Sequence, residues 1–243
     1  MPAPTLTSYK VWDRTTRVFH WVNFLSVLLL IGAGLVILNA KKLGVATEGK
    51  ILLKTIHVYA GYVFTLNLAW RLVWAFIGGP FARWRAILPF GKGYLAALDG
   101  SLRRGKNSYQ GHSPLGRLAV TALLIVLTVQ AVTGLVLAGT DIYYPPFGGW
   151  IAAWVAAPGV DPASLVPYAK EMLDAEAYKE MRAFRSPYIL AHVYNFYVIV
   201  ALVLLHVFAV VRAEIIHGGG LVSAMFTGRK SLAEPPLDGE GGE

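Results

Sequence analysis

Residues 191–208 read AHVYNFYVIVALVLLHVF. Nearly every side chain in this stretch is apolar, yet it carries two imidazoles, His192 and His206. Fourteen residues are about 3.9 helical turns, so on an α-helix both rings leave from nearly one face, with a rise of about 21 Å between them. Polar groups at lipid depth are costly and functional by default. The fold and the chemistry of the chain therefore turn on what these two rings face.

The surroundings are those of a membrane. The chain has 243 residues, 56% of them hydrophobic, and a mean hydropathy of +0.52. Charged residues make up 15%, against about a quarter in a soluble domain, and they are clustered. Windows 18–40, 118–140 and 186–211 carry no charge, and each exceeds the roughly 20 residues that cross a bilayer as a helix. A fourth window, 55–82, is broken only by Arg71. These windows predict an all-α membrane protein, one domain over 1–243, with spanning helices at about 17–39, 52–78, 115–138 and 187–212. The first apolar run follows a polar stretch, is long for a signal sequence and carries His20, so it is read as part of the mature chain.

Charge placement orients the helices. The N-terminus, the loop at 79–114 and the C-terminal tail hold 14 Lys and Arg, counting Arg71 and Arg117 at the helix ends. The other side, with loops at 40–51 and 139–186, holds 8, offset by 7 acids. The positive-inside rule then places both termini in the cytoplasm of a bacterial inner membrane. The same placement accounts for the net charge of +8 without a nucleic-acid partner. There are no cysteines, which excludes disulfides, thiolate-held iron–sulfur clusters and covalently attached haem.

The connections differ in character. In the inner loop, GYLAALDGSLRR at 93–104 predicts a short helix on the membrane surface. The outer loop, 139–186, is the longest, and its segment DPASLVPYAKEMLDAEAYKEMRAF at 161–184 suggests helix. A long ordered loop on one face reads as a docking surface for a partner. The tail 231–243, which includes EPPLDGEGGE, is polar, rich in Gly and Pro, and expected to be disordered.

Four of the six histidines fall inside predicted spans. Following the chain back and forth, His20 and His206 lie at inner depth, and His57 and His192 at outer depth. Each depth draws one ring from the fourth helix and one from another. Two imidazoles facing across a gap suit the axial positions of a haem iron, so two pairs imply two stacked b-type haems. The separation along helix 4 forbids gathering all four rings on one zinc or copper ion. A proton relay would recruit Asp or Glu as well, and the spans lack both; a lone membrane histidine can also serve merely to bond a neighbouring helix. The fourteen-residue step recurs: His57 leads to Arg71, and His20 to Gly34. Arg71 can meet a propionate of the inner haem or snorkel to the headgroups. Gly34 can leave room for the outer macrocycle or serve close helix packing. His112 and His217 read as surface histidines at the cytoplasmic side, His112 lying close to the inner haem.

The motifs VWDRTTRVFHW, IHVYAGYVF with RLVWAFIG, GHSPLGRLA, AHVY with LLHVFAVVRAEI, and GGGLVSAMFTGRK resemble the b-type cytochrome subunit of membrane-bound nickel–iron hydrogenases and the related formate dehydrogenase subunit. The likeness runs from about residue 9 to 230 and is weak in the outer loop. It implies four spanning helices, an outer haem held by His57 and His192, an inner haem held by His20 and His206, and electron transfer from a periplasmic enzyme to membrane quinone near the inner haem. Many relatives have Asn where this chain has Ser113, and a hydroxyl does not copy an amide's bonding.

Three functions follow from these features. The first is an electron-transfer subunit with quinone as substrate, His112 and Ser113 lining the quinone site and His112 a candidate proton donor. The longer outer loop admits either a hydrogenase small subunit or a c-type cytochrome as the periplasmic partner. The second is a stand-alone haem oxidoreductase acting on a small species such as superoxide at the outer face. The third, a haem-free membrane anchor, leaves four ligand-spaced histidines unexplained. The GHSP segment also has a purely structural reading, with Ser113 as N-cap and Pro114 at the first helical position.

Overall fold

The computed structural model describes residues 6–104, 108–218 and 220–238. Four helices are long and apolar enough to cross a membrane: α1 (Arg14–Leu38), α2 (Thr47–Ile77), α5 (Pro114–Ile142) and α7 (Ala175–His217). At most 28% of the most apolar stretch of any of them is buried inside the protein. Such residues form the core of a water-soluble bundle; here they face outward, as lipid requires. The protein is thus an all-α membrane bundle. Shorter helices α3 (Trp84–Ile87), α4 (Tyr94–Arg104), α6 (Gly148–Val155) and α8 (Leu221–Thr227) lie in the connections, and one small sheet pairs β1 (Thr7–Lys10) with β2 (Arg229–Leu232).

The chain divides into two compact units, and every spanning helix contributes to both. The first comprises residues 1–22, 68–125 and 199–243. Its N-terminal strand pairs antiparallel with the C-terminal one, Thr7 opposite Leu232 and Lys10 opposite Arg229. Gly228 ends α8 at φ 77° and offers its carbonyl to the Val11 and Trp12 amides, at 2.8 and 3.2 Å. A Cβ at Gly228 would lie 2.6 Å from the Trp12 carbonyl oxygen, so only glycine fits. Val11, Trp12 and Ala224 form a buried cluster with Phe81 and Met225 packed against it.

Asp13 starts α1. Its carboxylate accepts from the Thr16 amide at 2.6 Å, the Trp74 indole at 3.0 Å and the Gly79 amide at 3.4 Å. Burial alone would raise this carboxyl, but these bonds outweigh burial and hold it below the usual carboxylate range. The inner connection is pinned to the start of α5: Tyr94 donates to the Pro114 carbonyl at 2.9 Å, and Arg117 gathers the carbonyls of Arg85, Leu88 and Phe90. Those carbonyls include orphans at the end of α3, so the guanidinium acts as its C-cap.

The second unit comprises residues 23–67 and 126–198. Its connection folds back on itself. Leu173 bridges Ala156, the Asp174 amide donates to Val155 at 2.9 Å, and Ile151, Val155 and Met181 form a core joined by Tyr143, Phe147, Leu165, Leu173 and Tyr178. Asp141 near the end of α5 accepts from Lys54 of α2 at 2.6 Å and from Arg185 of α7, a largely buried triad.

Several boundaries differ from the sequence expectation. The fourth span, predicted over 187–212, is part of a helix that begins at Ala175 and runs through Pro187. Proline forfeits one helical hydrogen bond, but packing of Met181 and the Arg185–Asp141 bond hold the extra turns. The outer connection is correspondingly shorter than 139–186. Within 161–184 only the second half is α-helical; Asp174 caps it, accepting from the Ala177 amide at 2.8 Å. The first half forms two 3-10 turns, Pro162–Ser164 and Lys170–Met172, because Pro162 and Pro167 interrupt the amide ladder. The tail, expected to be disordered from residue 231, instead pairs through Leu232. Beyond it the Leu237 amide donates to Ser108 at 2.7 Å, and Asp238 accepts from the Gln110 and Gly111 amides. Residues 239–243 lie outside the described residues.

Candidate haem sites

His57, His192 and Gly34 lie in the second unit. The rings of His57 on α2 and His192 on α7 stand with centroids 6.4 Å apart and planes inclined by 70°. A metal–imidazole bond of about 2.0–2.1 Å on each side, with the ring centre roughly 1.1 Å further, separates two axial rings by roughly 6 Å. The observed spacing fits. Two glycines admit these rings. A Cβ at Gly34 on α1 would lie 3.5 Å from His57 Cε1, and one at Gly134 on α5 would lie 3.3 Å from His192 Cε1. Gly34 therefore abuts the imidazole of His57 itself.

Hydrogen bonds settle the His192 tautomer. The Thr133 hydroxyl donates to the Val129 carbonyl at 2.8 Å, so at 2.9 Å from His192 Nδ1 it accepts the ring N–H. Nε2 is then the lone-pair nitrogen, and it accepts from Gln130 Nε2 at 3.0 Å. Gln130 is held in turn: its Oε1 accepts from Asn195 Nδ2 at 2.7 Å, which also reaches the Val126 carbonyl at 2.8 Å. His57 Nδ1 is buried with no partner among the described residues.

His20, His206, Arg71, His112 and Ser113 lie in the first unit. His20 Nδ1 is buried without a partner among the described residues. Arg71 does not snorkel. It is 5% exposed, donates to the Ala82 carbonyl at 3.1 Å, and its guanidinium stands 5.8 Å from the Phe19 ring centre. Its charge is felt by His112, and it is a buried cation with no ion pair among the described residues, which fits a site for an anionic haem carboxylate. The side chain of His217 lies outside the described residues.

His112 stacks on Trp12 with ring centroids 4.8 Å apart, and its Nδ1 is sealed from solvent without a partner among the described residues. Burial pushes its imidazole down to about 3, and the charges of Arg71, Lys230, Arg117 and His206 push the same way. The ring is neutral at physiological pH, a hydrogen-bond donor rather than a charged acid. Ser113 caps α5: its Oγ accepts from the Gly116 amide at 3.1 Å, with Pro114 at the first helical position. Lys230 of β2 is also buried; burial lowers its ammonium, Asp238 opposes the shift, and it donates to the Tyr109 carbonyl at 2.6 Å.

The sequence reading missed Gly134, Thr133, Gln130, Asn195 and Lys230. Gln130 and Asn195 had a signal: each is a carboxamide inside an otherwise apolar span, where polar groups need partners. Thr133 had none, since threonine is common in such helices and bonds its own backbone.

The chain matches the family of prokaryotic cytochrome b561 over residues 11–228. A probable Ni/Fe-hydrogenase B-type cytochrome subunit of Azotobacter vinelandii is 26% identical, the alignment covering 96% of this chain and 92% of that protein. The protein of the same description from Rhodobacter capsulatus is 24% identical over 96% of this chain and 85% of its own. The probable Ni/Fe-hydrogenase 1 B-type cytochrome subunit of Escherichia coli K12 is 27% identical over 58% of this chain and 65% of its own. No solved structure matches. With the match spanning most of the chain, and four apolar helices beneath it, this protein belongs to the prokaryotic cytochrome b561 family and is a multi-pass membrane cytochrome of b type.

Proposed function

We propose that the chain is a dihaem cytochrome that carries electrons across the inner membrane between a periplasmic hydrogenase and the quinone pool. The observation that carries it is the 6.4 Å facing pair His57–His192. His20 and His206 supply two more imidazoles in the other unit, and by their depth along the helices His57 and His192 hold the outer haem and His20 and His206 the inner one. Bound there, haem iron supplies reversible one-electron transfer. Arg71 offers its buried guanidinium to an inner carboxylate. The relatives named as hydrogenase subunits align along nearly the whole chain, which favours a hydrogenase over a c-type cytochrome as partner.

The quinone reading rests on GHSP. His112 is neutral, so it contributes a hydrogen bond to a carbonyl rather than a stored proton, and protons come from water at the cytoplasmic side. Ser113 is occupied as the cap of α5, so its hydroxyl oxygen is shared. The folded outer connection and the first turns of α7, with Asp161, Lys170, Glu171, Lys179, Glu180 and Arg182 exposed on them, suit docking of a charged partner surface better than direct attack by a small species such as superoxide.

The test is the reduced-minus-oxidised visible spectrum of the purified chain with a haem-to-chain ratio. Two haems per chain are expected, and a ratio of one or none overturns the reading. In membranes with the hydrogenase, reversing Lys170 and Lys179 to Glu should slow haem reduction by hydrogen while dithionite still reduces both haems. Reduction by hydrogen at the unaltered rate places docking elsewhere.

A further inference from the structure

The two rings of the outer pair are not held alike. His57 Nδ1 has no partner among the described residues, whereas both nitrogens of His192 are engaged. Thr133 is one turn from Gln130 on α5, so both reach the same ring. Thr133 has a single hydroxyl proton, and the Val129 carbonyl takes it at 2.8 Å. The hydroxyl can then only accept from Nδ1, which makes Nε2 the lone-pair nitrogen; the Gln130 amide holds that lone pair in this structure and must yield it for iron to bind. Gln130 presents an N–H to Nε2, and the carbonyl end of its amide is fixed by Asn195 at 2.7 Å. The amide cannot flip to present oxygen without losing that bond. Two independent contacts thus select one tautomer. Gly134, the next residue after Thr133, gives the ring the space a Cβ would take.

We infer that Thr133 is a positioning residue that presents His192 to the outer haem iron through Nε2, the Gln130 amide holding that lone pair until iron takes it, and tunes that haem alone. The inference rests on the reading of His192 as a ligand. An imidazole whose second N–H donates to the protein is oriented and made more basic; loss of such a partner typically costs about 10–100-fold in metal affinity. A more basic axial ligand favours the ferric state, and hydrogen bonding around the ligands is one of the levers on haem potential.

The experiment uses the purified full-length cytochrome, titrated potentiometrically with visible and electron paramagnetic resonance detection. Thr133→Val keeps the shape and removes the hydroxyl. One of the two haem waves should move to more positive potential, and its low-spin ferric signal should shift, while the other haem is unchanged. Thr133→Ser should restore both. Unchanged potentials and signals in Thr133→Val, with both haems bound, overturn the inference. If Thr133→Val loses the outer haem, a serine variant that keeps it at the original potential supports the inference, and a serine variant that loses it overturns it. His192→Ala separates this from the underlying reading. Retention of two haems there removes His192 as a ligand, whereas loss of one haem there with a wild-type Thr133→Val removes only the role of Thr133.

Discussion

The two halves of this cytochrome handle intramembrane polarity differently. In the unit holding His57 and His192, neutral hydrogen bonds engage both nitrogens of His192, and charges are paired in the Lys54–Asp141–Arg185 triad. In the unit holding His20 and His206, Arg71, Arg117 and Lys230 surround a neutral His112, and their contacts are mostly backbone carbonyls. A satisfied network rigidifies its members. A buried cation without an ion pair, as Arg71 is among the described residues, favours an anion arriving from outside the chain. One half therefore pairs its charges within the chain, and the other leaves buried Arg71 without an ion pair among the described residues.

The sharpest way to break this comparison is to remove one ligand from each half. His206→Ala should lose the inner haem and keep the outer, and His57→Ala the reverse, as read by haem stoichiometry and the remaining spectral component. Equal loss of both haems from either variant would mean that the halves assemble as one. The next largest effect concerns the triad. Asp141→Ala leaves Lys54 and Arg185 largely buried and unpaired, which typically costs about 3–5 kcal/mol. The variant should lower the thermal midpoint of the whole chain, and a wild-type midpoint would mark the triad as solvated.

The charged half should also be the acid-sensitive one. His112 has its folded value near 3, below its ordinary 6.5, so between these values the unfolded chain binds the proton and the folded chain does not. Its contribution to stability is whole above about pH 6.5, declines as pH falls, and is gone near pH 3. Stability measured from pH 7 to 4 should fall less steeply in His112→Gln than in wild type; parallel curves would show that other groups set the acid limit. The smallest effect is the cap. Ser113→Ala should cost about 1 kcal/mol, and Ser113→Asn should recover it. If alanine instead abolishes quinone-linked haem oxidation without changing stability, Ser113 belongs to the quinone site rather than to the cap. A deletion of Leu165–Glu180 is a poor probe of docking, because it removes Leu165, Leu173 and Tyr178 from the apolar cluster and the Asp174 cap of α7.

The spanning helices were legible because lipid imposes one rule on all of them: a run of apolar residues without charge. Their ends were less so. Pro187 reads as a break between the helix suggested within 161–184 and the span from 187, yet tertiary packing of Met181 and the bond to Asp141 carry one helix through it. The reverse occurred at Pro162 and Pro167, where a helix-like charge pattern yielded to proline. The tail composition reads as disorder, but a strand partner at the other end of the chain, Thr7 opposite Leu232, was invisible to local composition.

The sequence by itself determined the number of spans, the candidate ligands and their grouping by depth, because helical rise and bilayer thickness are fixed lengths. It also determined that Ser113 and Pro114 start a helix, since capping is local chemistry. Only the tertiary structure decided which tautomer His192 adopts, that Arg71 is buried rather than drawn to the headgroups, and that Lys230 shares the surroundings of His112. Those outcomes depend on partners distant in the chain, whose approach is set by how side chains pack, and no periodicity in a single segment encodes that.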